Sequence, residues 1–181
     1  MTLSLSAFAW ILLGLFYCNG LEWIIHKKLL HEHGKKKNSA FRFHWEHHNL
    51  AKKHDGKDPD YETHGITRES YFVLILILLH IPTILISPFF YLTMVAHGLY
   101  YLYVHRKFHM DLHWARVTIP WHWDHHMGPK ECVEANWCVT FPLFDYIMGT
   151  RKPYYNTNRY FMDMARKSVR IRNEKDIREL E

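Results

Sequence analysis

The stretch that decides the architecture runs from Leu3 to His31, LSLSAFAWILLGLFYCNGLEWIIHKKLLH. Up to Ile25 only Asn19 and Glu22 interrupt its apolar character. At about 23 residues and 1.5 Å per residue it reaches across a hydrocarbon core of roughly 30 Å, which predicts a membrane-spanning helix. The predicted helix then runs directly into a histidine pair, His26 and His31. No basic segment or small-residue cleavage site precedes it, so it reads as a retained anchor and not as a removed signal peptide.

A second apolar run covers residues 71–104. Its roughly 34 residues are too many for one span. Ser87-Pro88 divides it, because proline lacks a backbone donor and disfavours helix just before itself, and Pro82 is expected to kink the first half. All 23 Lys and Arg residues lie in 27–68 or 105–181. Three spans would place both of those segments on one side, which the positive-inside rule assigns to the cytoplasm. The fold expectation is therefore all-α: an integral membrane protein of about three transmembrane helices with a cytosolic helical cap, in one domain covering 1–181. The membrane is a bacterial inner membrane or an endoplasmic reticulum.

The formal net charge of +5 follows this topology, and no nucleic-acid-binding signature is present, so an anionic membrane surface is the expected partner of the basic face. Cys18, Cys132 and Cys138 form no CxxC pair, which argues against a disulfide framework or a cysteine zinc site.

The sixteen histidines are mostly spaced in four clusters: His26 with His31; His44, His47 and His48; His105 with His109; and His122, His125 and His126. On an α-helix at about 100° per residue, each three-histidine cluster occupies an arc of roughly 100°, and His105 and His109 lie about 40° apart. His26 and His31 would lie roughly 140° apart, able to reach different metals or to approach one site from two sides. Imidazole suits iron, zinc, copper and nickel, and one metal rarely takes more than six ligands, so ten clustered histidines suggest two metal ions. In the assumed topology all four clusters converge on the cytoplasmic side. Glu46 and Asp124 point away from the histidines of their own clusters and are not expected to ligate.

Beyond the ten, His113 continues the His105/His109 face and is the best additional candidate; His64 is another. Glu22, one turn before His26, is a candidate to orient that imidazole from behind. His80 and His97 fall inside spans, where hydrogen bonds between helices are the expected use. Trp45, Trp121, Trp123 and Trp137 suit a site at membrane level or core packing.

These residues resemble the fatty acid hydroxylase and sterol desaturase superfamily, whose histidine boxes read HX4H, HXXHH, HX3H and HXXHH. The resemblance extends from His26 to Thr150 and includes a tail from Asn136 through Thr140, Asp145 and Gly149 that is similar to the family's ending. It implies two iron ions on the ten box histidines, with zinc possible in purified protein, O2 as co-substrate, and a lipid whose C–H bond becomes a hydroxyl or a double bond. It also makes Asn136 a candidate supporting residue. With no haem domain in the chain, a separate cytochrome b5-type or ferredoxin donor would supply electrons. Members of this branch often have a further span before the first box; here the acyl tunnel would be more open or completed by a second copy of the chain as a homodimer. The Phe-Asp-Tyr-Ile-Met-Gly-Thr ending looks more like the fatty acid hydroxylases than the carotenoid hydroxylases.

A histidine-rich metal transporter is the competing class, but it needs polar ligands along a path through the bilayer, and only His80 and His97 offer them. A zinc protease lacks both HExxH and HxxEH. The basic segment 151–181, with Tyr154, Tyr155, Tyr160 and Phe161, is expected to lie on the membrane surface, to dock the electron donor, or to be a solvated helix.

Overall fold

The computed structural model describes residues 4–178; Leu3 of the first apolar segment and the last three residues of the basic tail lie outside them. Among the described residues the chain is helical, without a strand. Helix α1 covers Leu5–Ile25, its first turn capped by the Ser4 hydroxyl accepting from the Ala7 amide. It continues without a break into a π-helical segment, His26–His33. Helices α2 (Arg42–Lys53) and α3 (Pro59–Thr63) lead to α4 (Arg68–Leu79), whose start is closed by a capping box of Thr67 and Ser70.

The predicted break in the second apolar run is present but wider than expected. Where Pro82 was expected to kink a continuous helix, α4 ends at Leu79 and a 3-10 turn, Ile81–Leu85, holds the proline in its first turn. Helix α5 (Pro88–Met110) then starts on Pro88, capped by Ser87. Short helices α6 (Leu112–Thr118), α7 (Pro120–Met127), α8 (Lys130–Val133) and α9 (Leu143–Ile147) follow, and α10 (Asn158–Arg178) ends the described chain.

Helices α1, α4 and α5 pack side by side. Gly14 lets α1 approach α5 closely: a Cβ there would stand 3.0 Å from the Thr93 side chain. Their outer faces leave Phe8, Leu12, Phe16, Leu74, Leu78, Leu92 and Leu99 exposed. Exposed apolar faces of this kind mark surfaces that meet a membrane, a ligand or another protein. One helix among the described residues, Leu5–His33, is by itself long and apolar enough to cross a membrane. Helix α4, at 12 residues, is too short to cross alone.

The buried centre lies at the other end of these helices, where α2, the π segment, the end of α5 and α7 meet. Its largest fully buried side chains are Phe108 and seven histidines: His31, His48, His105, His109, His122, His125 and His126. A core of imidazoles is costly unless their nitrogens are satisfied.

Candidate metal centre

The first box is positioned by an unusual local backbone. In the π segment hydrogen bonds run five residues back, as in Gly34 N–H to Leu29 O at 3.0 Å. Positions five apart therefore stack, and His26 and His31 come to one side with ring centroids 5.0 Å apart. The 140° separation expected for an α-helix does not arise, because the backbone is not α-helical there. Such π segments tend to occur at functional sites.

The histidines form two groups. His26, His31, His44, His48 and His125, all buried, offer ligand atoms within 4.8 Å of one another, as do His47, His105, His109 and His126. Each three-histidine box thus divides: His44 and His48 face one group and His47 the other, while His125 and His126 separate in the same way. His122 belongs to neither at this spacing. It sits between them, fully buried, with ring centroids 4.6 Å from His126, 5.0 Å from His105 and 5.7 Å from His125.

In the first group five Nε2 atoms converge. The separations are 2.9 Å for His26 to His44, 3.1 Å for His31 to His44, His44 to His48 and His31 to His125, and 3.2 Å for His48 to His125. The Nδ1 of His26 meets the carbonyl of Trp137, and that of His125 meets the carbonyl of Ala135 at 2.7 Å. A carbonyl only accepts, so both Nδ1 atoms carry the proton and both Nε2 atoms present lone pairs. Lone pairs brought together in a buried site repel unless a cation lies between them. With metal–nitrogen bonds of about 2.1 Å, ligands at right angles lie about 3.0 Å apart, close to the observed spacing.

The second group shows the same logic. Nδ1 of His47 donates to Asp58 at 2.5 Å, that of His105 to Glu69 at 2.8 Å, and that of His109 to the Gly56 carbonyl at 2.8 Å. The Nε2 atoms of His47, His105 and His109, and both ring nitrogens of His122 and His126, are buried without a hydrogen-bond partner. Native proteins seldom leave so many polar atoms orphaned together, and a bound metal ion would satisfy them. Burial, followed by the mutual influence of neighbouring imidazoles, holds His44, His48, His122 and His126 well below the usual histidine pKa; burial does the same to His125 against its bond to Ala135. The rings are therefore neutral at pH 7, the form that ligates. Neutral nitrogen donors in this number fit iron, zinc, copper or nickel.

A sequence model of the family described as fatty acid hydroxylase matches residues 11–150. The chain belongs to this family. No curated protein and no solved structure matches it.

The structure gives the tail of this family member a physical role. Asp145, fully buried, accepts from the amides of Trp137 (2.8 Å) and Cys138 (2.9 Å) and from the Thr150 hydroxyl (2.7 Å). Asn136 adopts a left-handed φ of 56° and is locked by Cys132, Arg151 and Lys152. Its flanking carbonyls, Ala135 and Trp137, are the ones that hold His125 and His26. Asn136 thus acts through the backbone on both sides of it.

Glu22 makes no hydrogen bond to His26. Its Oε1 accepts from the amides of Val139 and Thr140, and its Oε2 from the Thr140 hydroxyl at 2.6 Å. It ties α1 to the same loop, one step further from the metal positions than its helical spacing suggests. His113 and His64 are exposed and in neither group. The helix breaks at Asp111, which caps α6, so His113 leaves the face of His105 and His109. His64 ends α3 and its ring meets the Thr63 hydroxyl.

Glu46 and Asp124 lie outside both groups: Glu46 faces Arg68 at the surface, and Asp124 holds Arg151 (2.9 Å) and the Tyr155 amide (2.7 Å). His80 bonds the Tyr17 hydroxyl at 2.9 Å and His97 meets Glu22 at 3.4 Å, both between helices. Asp58, Glu69, Tyr61 and Tyr101 are additions that spacing did not reveal. Glu69, a carboxylate heading an apolar run, was the one readable signal among them.

Proposed function

We propose that this protein is a membrane-embedded two-metal oxygenase that hydroxylates a C–H bond of a lipid, a fatty acyl or sphingolipid-type chain. Iron is the working metal, O2 the co-substrate, and a separate cytochrome b5-type or ferredoxin protein the electron donor. The single observation that carries this reading is the convergence of five buried Nε2 atoms beside an apolar groove. That groove lies between α1, α4 and α5, lined by Leu21, Ile25, Phe72, Val73, Ile77 and Met94, and it reaches His26 and Glu69.

Bound iron would supply the activation of O2 needed to attack an unreactive C–H bond. The chain's own residues supply the rest. The groove walls bind the apolar chain and exclude water, and Gly98 leaves room where α5 faces Val73 and Ile77. His26 and Glu69 are both in the groove lining, and the reacting carbon lies beside His26 in this reading. A second, more polar cavity of about 390 Å³, lined by His47, Asp58, Tyr61, Arg68 and His105 among others, reaches the second group and shares Phe43 and Glu69 with the groove.

The reading includes three spans, with α4 and its 3-10 extension pairing with α5 as a hairpin and the metal groups facing the cytoplasm. It is supported by the exposed apolar faces of α1, α4 and α5 and by the absence of Lys and Arg from 1–26 and 69–104. The test is expression in a lipid-rich host under 18O2, followed by mass spectrometry of total lipids. A lipid carrying one heavy oxygen is expected. A gain of unsaturation without oxygen would move the activity to desaturation, and unchanged lipids would overturn the reading.

A further inference from the structure

The two histidine groups differ in what stands behind them. In the five-histidine group the supporting acceptors are neutral backbone carbonyls, Trp137 for His26 and Ala135 for His125, while Nδ1 of His31 and of His48 has no partner. In the four-histidine group two of the four imidazoles donate to carboxylates: His47 to Asp58 and His105 to Glu69. Both carboxylates are buried, at 2% and 7% exposure, so solvent screens them little.

Each carboxylate is also held in place as an acceptor. The Asp60 amide donates to Asp58 at 2.9 Å; the Tyr61 and Tyr101 hydroxyls donate to the two oxygens of Glu69 at 2.5 and 2.7 Å. Tyr61 stacks on the His109 ring at 5.6 Å and Tyr101 on the His105 ring at 5.7 Å, which fixes the rings as well as the acceptor. The carboxylates nearer the five-histidine group, Glu22 and Asp145, are engaged by amides of the 137–140 loop and hydrogen-bond to none of its imidazoles.

Charge makes this difference consequential. Four neutral imidazoles, two carboxylates and a divalent ion sum to zero, whereas five neutral imidazoles leave a buried divalent ion uncompensated by any carboxylate bonded to its ligands. An imidazole that donates to a carboxylate is also the stronger metal donor, and a buried positive charge is retained best where an opposite charge is close. We propose that the two metal positions are electrostatically unequal and that Asp58 and Glu69 are the positioning residues that make the four-histidine position hold the more oxidised iron. On one-electron reduction the five-histidine iron goes from Fe(III) to Fe(II) first.

This inference rests on the two-metal part of the proposed function and not on its lipid chemistry. It is tested on full-length protein in detergent, loaded with 57Fe, by Mössbauer spectroscopy before and after one electron equivalent of dithionite per chain. Two ferric doublets of equal area are expected, one of which becomes ferrous while the other stays ferric. In Asp58→Asn and Glu69→Gln the doublet that had stayed ferric shifts or is lost, and the other keeps its parameters. A single doublet in the native protein, or variants that alter the doublet reduced first or both alike, overturns the inference. Should neither variant fold, the native spectra decide alone: a single doublet, or both doublets reduced in parallel, overturns it. Fewer than two irons per chain sinks the two-metal reading itself, an outcome distinct from two equivalent irons.

Discussion

Replacing Asp145 by Ala should loosen a metal group that Asp145 never touches. Its carboxylate accepts from two amides and one hydroxyl at 2.7–2.9 Å and is fully buried. A buried donor left unpaired costs about 1–3 kcal/mol, so three give a floor of about 3 kcal/mol. Donors sharing one network are not independent, and about 5 kcal/mol is the working figure. For a chain of this size that lowers the unfolding midpoint by roughly 10–20 °C. The same loop carries the Ala135 and Trp137 carbonyls, so loss of its anchor should weaken metal retention by His26 and His125 by about 10–100-fold, as for other supporting partners of ligating histidines. The assay is thermal unfolding in detergent alongside release of metal to a competing chelator, with Asp145→Asn as an intermediate because it keeps a carbonyl acceptor. An Asp145→Ala protein with an unchanged midpoint and unchanged metal release would refute the reasoning.

Replacing His47 or His125 by Ala should abolish product formation while membrane insertion persists, whereas His64→Ala and His113→Ala should leave metal content unchanged, since both rings lie exposed outside the groups; lipid analysis and metal analysis on the four variants check this. Gly98→Leu should fill the groove, because even a Cβ there stands 3.1 Å from Val73, so turnover falls while bound metal stays constant. Metal-stripped protein should lose stability as pH drops through about 6.5, the ordinary histidine value: the unfolded chain binds protons there that His44, His48 and His125, held well below it by burial, do not. Denaturation at pH 7.5 and at pH 5.5 measures this, and equal stability at both would contradict it.

Much of the arrangement was legible in the spacing of the histidines, because i, i+3 and i+4 positions share a helix face and the boxes sit where the apolar segments end. The division of each HXXHH box between two groups was not legible, since an arc of roughly 100° describes both one shared site and two adjacent ones. Nor was the approach of His26 to His31, which depends on a π-helical backbone that side-chain periodicity cannot report. Glu22 was placed next to the right segment but assigned the wrong neighbour: helical spacing sees His26 one turn away, whereas the carboxylate is captured by amides over 100 residues distant in sequence. The contributions of Asp58 and Glu69 depend on how α3 and α4 fold back over the site, a tertiary fact.

The most direct test is metal analysis of the purified full-length chain. Two ions per chain are predicted, falling in His125→Ala and His126→Ala, which remove one member from each group. One ion per chain, or none, in protein that is folded and loaded with iron would contradict the account.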